Sequence, residues 1–201
     1  MKIFRSFAVI LLLFCVTSCV ETIIIGSLAT GSMVTREKSA KNMKDDVIIA
    51  TVLLAKYTGN GLTTLKNNVD VSVNEGRVLL TGVVRDETKE ALAIRLAWKV
   101  DGVREVIDEI QILESDSYRP KNFSRAVVDT VLTFEVEARL LIKPSLKSTN
   151  YKVNTVNGIV YLMGIADDEE ELNKALDVVA RVRGVRKVVN HIILSNDRRR
   201  S

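Results

Sequence analysis

Two hydrophobic periods alternate along the chain, and the alternation occurs twice. From Asp46 to Tyr57, apolar residues fall on most sides of a helical wheel (Val47, Ile48, Ile49, Ala50, Val52, Leu53, Leu54), and a helix apolar all round is expected to be buried. Thr58-Gly59-Asn60-Gly61 ends it. Val69, Val71 and Val73 then alternate with polar residues, the period-two pattern of a strand, and Asn74-Glu75-Gly76 turns into a second strand from Arg77 to Val83. Asp86 is placed to cap a helix to Val100, with Ala93, Leu96, Ala97 and Val100 on one face. Asp101-Gly102 stops that helix, and Glu105 to Ile112 follows as a third strand. Beyond a stretch from Ser115 to Asn122 containing Pro120, the series starts again. Ser124 is placed to cap a helix to Ile142. Tyr151, Val153 and Thr155 alternate, Asn157-Gly158 is a hairpin turn, and Ile159 to Ile165 returns. Asp167 is placed to cap a helix to Arg183 with Leu172, Ala175, Val178, Val179 and Val182 inward, and Lys187 to Leu194 is the last strand.

The second series is a copy of the first. Val71 to Ile112 aligns with Val153 to Leu194 without a gap, and about a third of the paired residues are identical. Each copy reads α-β-β-α-β, which predicts an α+β fold in which two helices cover one face of a three-stranded mixed sheet. The expected organisation is a leader over residues 1–18, an anchored linker over 19–44, a first domain over 45–114, a linker over 115–123, a second domain over 124–195, and a basic tail over 196–201.

Composition narrows the picture. Aromatic residues are 5% of the chain, so the cores must be aliphatic. Lys2 and Arg5 supply two units of the net charge of +4, which leaves the remainder too near neutral for a nucleic-acid protein. Arg198-Arg199-Arg200 is expected to be a solvated tail rather than a lipid or nucleic-acid contact. The N-terminus has the form of a targeting segment: a basic start, then an apolar run from Phe7 to Val16, short against the roughly 20 residues a membrane span needs. It ends in Val16-Thr17-Ser18-Cys19, which resembles a bacterial lipoprotein signal; the competing readings are an ordinary secretory signal or an anchor helix. On the lipoprotein reading Cys19 is acylated and Cys15 leaves with the leader, so neither of the two cysteines can form a disulfide. Val20 rather than Asp follows Cys19, which by resemblance to the lipoprotein sorting rule favours the outer membrane. The charged stretch from Arg36 to Asp46 shows no apolar period and reads as linker.

The repeated positions resemble the BON domain (bacterial OsmY and nodulation). They are a turn glycine, a strand closing on glycine, a helix capped by aspartate, and Gly-Val-x-x-Val entering the last strand. The pattern stands at Gly76, Gly82, Gly102-Val103 and Val106, and again at Gly158, Gly164, Gly184-Val185 and Val188. The match is closest in the second copy, through Asp129-Thr130 and Lys152-Val153. The first departs by a longer connection around Gly59-Asn60-Gly61. With two copies behind a lipoprotein signal, the chain is similar to dual-BON outer-membrane lipoproteins of the DolP (YraP) type. That resemblance implies a non-enzymatic protein without a cofactor, lipid-anchored at the outer membrane and facing the periplasm, with a role in envelope integrity. It also implies contact with an anionic phospholipid membrane through the first helix of the second domain.

The residues of that helix carry two apolar stripes. Val128, Leu132, Val136 and Leu140 recur by four and fit the core; Val127, Val131, Phe134, Ala138 and Leu141 form the other. By comparison with the family, Val131, Phe134 and Leu141 fit lipid-facing positions, with Lys143 and Lys147 placed to meet lipid phosphates. The family position held here by Val131 is aromatic in better-known members. The same stripe could instead pack against the first domain, or serve a protein partner such as outer-membrane assembly or cell-wall machinery. In the first copy Ile94 and Trp98 lie off the core face, where Trp98 suits interdomain packing more than a membrane interface. His191 has no sequence neighbours for metal or acid–base work and reads as structural or solvated. The run Asp167-Asp168-Glu169-Glu170-Glu171 suits a helix N-terminus better than a calcium site.

Overall fold

The computed structural model describes residues 33–64, 67–113 and 121–200. The leader over 1–18, Cys19 and the linker residues 115–120 lie outside them. Its elements are α1 (Met33–Gly59), β1 (Asn68–Asn74), β2 (Arg77–Val84), α2 (Glu87–Ala97), β3 (Glu105–Ile112), α3 (Lys121–Leu141), β4 (Tyr151–Val156), β5 (Ile159–Ala166), α4 (Glu169–Ala180) and β6 (Lys187–Leu194), with short 3-10 turns at Ser148–Asn150 and Arg198–Arg200. Each half is α-β-β-α-β, as expected. In each, the middle strand pairs antiparallel with the strand before it and parallel with the strand after α2 or α4, giving sheet orders β1-β2-β3 and β4-β5-β6.

Residues 38–201 form one compact unit. Within it, the helices of each half cover one face of its sheet. Ile49, Leu53 and Tyr57 of α1 pack with Ala93 and Ala97 of α2 over Val69, Val78, Leu80 and Ile110. Leu132, Val136 and Leu140 of α3 do the same with Ala175 and Val179 over Val153, Val160, Leu162 and Ile192. The Tyr57 hydroxyl donates to the Ala93 carbonyl at 2.9 Å and ties α1 to α2. Strand side chains alternate, so the residues between these point away from the helices. Leu79, Val83 and Ile107 on one sheet, and Val156, Ile159, Tyr161, Met163 and Val189 on the other, make a third core between the two sheets. The molecule is therefore four layers deep, helices–sheet–sheet–helices.

Polar pairs rim this shared core. Asn154 donates to Thr81 at 2.9 Å, Gln111 donates to the Tyr161 hydroxyl at 3.1 Å, and Asn157 donates to Gln111 at 2.8 Å. His191 Nε2 lies 2.9 Å from Glu109 Oε1, and the buried Arg77 meets Glu105 and the His191 carbonyl. His191 thus has a structural place between the domains. The tail is only partly solvated: Arg198 and Arg199 are exposed, whereas Arg200 pairs with Glu75 through both carboxylate oxygens at 2.8 Å, and Arg104 donates to the Arg199 carbonyl at 2.7 Å. Arg200 and the Arg199 carbonyl thereby fasten the tail to the first domain.

The turn after β1 and its copy after β4 share one device. Glu75 and Gly76, like Asn157 and Gly158, take φ values of 51, 73, 52 and 74°, so both amides of each turn point the same way. An aspartate on the preceding helix accepts them: Asp46 from Glu75 and Gly76 at 2.7 and 2.8 Å, and Asp129 from Asn157 and Gly158 at 2.7 and 2.8 Å. Only a residue tolerant of positive φ suits the second position, which is why glycine stands there. Burial raises the Asp46 carboxyl, against the two backbone hydrogen bonds that lower it.

Several boundaries differ from the sequence reading. The stretch from Arg36 is helix, not linker, because α1 begins at Met33. Asp86 caps α2 as expected, accepting from the Lys89 amide, whereas α4 is capped by Asp168 and not Asp167. The acidic run after it is structural: the Glu171 carboxylate accepts the amides of Lys147 and Asp167, each at 2.8 Å. Nor is α1 buried on every side, since Met43, Val47, Ile48 and Leu54 are exposed on its outer surface.

Candidate functional site

Helix α3 is apolar on two opposite faces. Leu132, Val136 and Leu140 are buried against β4 and α4. Val128, assigned to the same stripe, is 62% exposed and borders an open cavity with Gly158, Ile159 and Gly184 instead of joining the core. The opposite face stays in solvent: Val131 is 60%, Phe134 65% and Leu141 70% exposed, with Val127 and Ile142 exposed beside them. The structure therefore brings three of the sequence-assigned residues onto one open surface. Interdomain packing is carried by the two sheets, so neither this stripe nor Trp98, which is 53% exposed at the end of α2, takes part in it.

The cations assigned to this surface separate. Lys143 is exposed just past the helix end. Lys147 is held by Asp167 in an ion pair that raises its pKa, so it is already committed. Polar side chains along the inner flank of α3 are also engaged. Thr133 donates to the Asp129 carbonyl at 3.0 Å and lies 2.8 Å from the Thr155 hydroxyl, and Arg139 pairs with Glu135 at 2.8 Å.

A cavity of about 420 Å³ opens where the N-terminal half of α3 faces β1 and the ends of β2 and β4. Asp70 and Asn68 line it from the first domain, Arg125, Thr130 and Phe134 from α3, and Asn154 from β4. Asp70 points from β1 toward the second domain, between the core positions Val69 and Val71. It is exposed to solvent, yet the groove walls beside it partly desolvate its carboxyl and raise its pKa, against a hydrogen bond from Asn68 that lowers it. Sequence reasoning did not find this groove, because the residues that β1 and β2 give it lie tens of positions from those of α3 and β4 and meet them only when the sheets pack. Among the described residues there is no group of three metal-ligating side chains, and no helix is long and apolar enough to cross a membrane.

Comparison with known proteins agrees with this architecture. A BON-domain family model matches residues 45–114 and 128–196, one match per repeat. A protein of Anaplasma centrale, described as an uncharacterized protein in the gshII 5′ region, is 38% identical over 67% of this chain and 86% of its own length. The outer membrane lipoprotein DolP of Haemophilus influenzae is 27% identical over 85% of this chain and 86% of its own. The osmotically-inducible protein Y of Escherichia coli is 27% identical over 75% of this chain and 72% of its own. With each structural repeat matched separately, the chain belongs to the BON-domain family and carries two BON domains in tandem.

Proposed function

We propose that this protein is a non-enzymatic outer-membrane lipoprotein, anchored through Cys19 and facing the periplasm, that contacts anionic phospholipid through the outer face of α3 and helps maintain the envelope. The observation that carries this reading is the row Val127, Val131, Phe134, Leu141 and Ile142, all exposed on a helix whose opposite face is already satisfied by its own core. A contiguous exposed apolar surface on an otherwise packed domain marks a docking surface. An apolar helix face flanked by a cation suits a membrane interface, where aliphatic and aromatic side chains enter the acyl boundary and Lys143 meets headgroup phosphate. The relatives support the location: one is named an outer membrane lipoprotein, and it spans most of this chain. Acylation at Cys19 would hold the protein at the bilayer, since each buried CH2 contributes about 0.8 kcal/mol.

The test is co-sedimentation of the unacylated chain, starting after Cys19, with phosphatidylglycerol vesicles. Binding is expected, and Phe134→Glu is expected to abolish it while the thermal transition stays in place. Wild-type protein that stays in the supernatant, or a Phe134→Glu variant that binds as before, contradicts the reading.

A second reading, a protein-interaction scaffold for outer-membrane assembly or cell-wall machinery, draws on the first domain. Met43, Val47, Ile48 and Leu54 of α1 are exposed on the opposite outer layer of the four-layer stack, where a membrane lying against α3 does not reach. Crosslinking from position 48 in intact cells separates the two: the scaffold yields a defined protein adduct that Ile48→Glu removes, and the lipid reading alone yields none.

A further inference from the structure

The groove beside the apolar face holds a separated pair of opposite charges. Asp70 lines it from β1 and forms no ion pair among the described residues. Arg125 lines it from α3, is exposed, and likewise forms no ion pair among them. Arg125 also borders a neighbouring cavity with Arg186, and Arg85 is a further guanidinium in the groove lining, so the positive side is extended. Of the two lining carboxylates, Asp129 is taken up by the Asn157 and Gly158 amides, which leaves Asp70 as the acidic group facing a ligand.

A simple anion in this groove would meet Asp70, and a simple cation would meet Arg125. A small molecule carrying both charges can satisfy both side chains, which line one cavity. The cavity volume, about 420 Å³, lies in the range of roughly 300–1,000 Å³ typical of small-molecule sites. Desolvation of Asp70 sharpens its preference for a hydrogen-bonding cation, because an ammonium with N–H donors restores the interactions that water no longer supplies fully. Phe134 belongs to the groove lining and to the exposed apolar row at once, so the groove is continuous with the surface on which acyl chains would lie.

We propose that the interdomain groove is a site for an ammonium–phosphate zwitterion, the phosphoethanolamine headgroup, with the ammonium on Asp70 and the phosphate on Arg125. The lipid source of that headgroup rests on the membrane reading of α3; the charge recognition itself does not. The chemistry excludes phosphatidylglycerol from the groove, since it has no ammonium, and disfavours a choline headgroup, since its quaternary nitrogen has no N–H to give Asp70.

The experiment is a titration of the full chain, held in maltoside detergent, with glycerophosphoethanolamine, glycerophosphocholine and inorganic phosphate, followed by amide NMR shifts. Saturable binding of glycerophosphoethanolamine is expected, with shifts at Asp70, Arg125 and Thr130. Asp70→Asn and Arg125→Gln should each weaken it about tenfold, the scale of one charge-assisted contact. Absence of saturable binding, binding indifferent to Asp70→Asn, or equal binding of all three probes (an anion subsite only) overturns the proposal. Vesicles distinguish it from the α3 reading. Asp70→Asn should leave phosphatidylglycerol binding intact, whereas Leu141→Glu, on the exposed row but outside the groove lining, should weaken vesicle binding and keep glycerophosphoethanolamine binding. Headgroup binding without any vesicle binding retires the membrane reading and leaves the zwitterion site standing.

Discussion

Replacing Asp129 with alanine removes one side chain but opens a joint between two elements. Its carboxylate accepts the Asn157 and Gly158 amides at 2.7 and 2.8 Å, and both bonds are partly buried. Hydrogen bonds to a charged acceptor contribute about 1.5–3 kcal/mol each, and water entering the half-exposed turn returns part of that, so the net loss should be about 2–4 kcal/mol. In a chain of this size each kcal/mol moves the melting temperature by about 2–4 °C, which puts the drop at roughly 4–16 °C. Urea and thermal unfolding followed by circular dichroism measure it. Asp46→Ala breaks the same two bonds in the first domain, at 2.7 and 2.8 Å. Its loss should be smaller, because burial already works against the ionised Asp46 and offsets part of what the bonds contribute. A loss below about 0.5 kcal/mol for Asp129→Ala would refute the reasoning, since that is the scale of an ordinary surface substitution. An Asp46→Ala loss larger than that of Asp129→Ala would refute the comparison.

Three further outcomes follow from the same geometry. Partial desolvation by the groove walls raises the folded pKa of the exposed Asp70, so the folded state holds its proton more tightly than the unfolded chain. Stability from this group is complete below the ordinary aspartate value of 3.8 and is lost as pH rises through the elevated folded value; Asp70→Asn should therefore raise the urea midpoint at pH 7, with the gain vanishing below 3.8. Met163 is fully buried between the sheets, and Met163→Ala should cost about 2–5 kcal/mol and loosen the domain pair, seen as a lower urea midpoint and a larger radius in X-ray scattering. Arg200→Ala breaks the bidentate pair with Glu75 and should cost about 1 kcal/mol, with faster amide exchange in the Glu75–Gly76 turn as the local readout.

The halves of this fold are legible in sequence, and their union is less so. Glu105–Ile112 and Lys187–Leu194 are strands over the residues that period-two alternation assigns. The reason is local: alternation, turn glycines and a capping aspartate each act within a few residues. The sheet-to-sheet contact is not legible in local periodicity, although a trace of it lies in the middle strands. Val78-Leu79-Leu80 and Val160-Tyr161-Leu162-Met163 are apolar on consecutive residues, which is the pattern of a strand covered on both faces. That run is the signal that could have moved interdomain packing from Trp98 and the outer face of α3 to the sheets. The groove and the Asp46 and Asp129 joints depend on residues tens of positions apart, beyond the reach of periodicity. The tail is legible in part for a different reason: three arginines suggest water by composition, which holds for Arg198 and Arg199, and only the fold reveals Glu75 beside Arg200.

Duplication here is closer than the helices alone suggest. Both first helices show exposed apolar residues, so an apolar outer face is a shared property and not a surplus of the second copy. What differs is what lies next to it. The α3 face carries Phe134 and runs into a charged groove, whereas the exposed face of α1 carries only aliphatic and methionine side chains among its large apolar residues.

The most direct measurement is fluorescence quenching by brominated phosphatidylglycerol, since Trp98 is the sole tryptophan of the chain. A Trp98→Phe, Phe134→Trp protein places the probe on α3, and wild-type Trp98 marks the outer surface of the first domain. If α3 enters the bilayer, the probe at 134 is quenched and shifts to shorter wavelength while Trp98 is unaffected. Quenching of Trp98 with none at 134 would place the membrane against the wrong face and contradict the account.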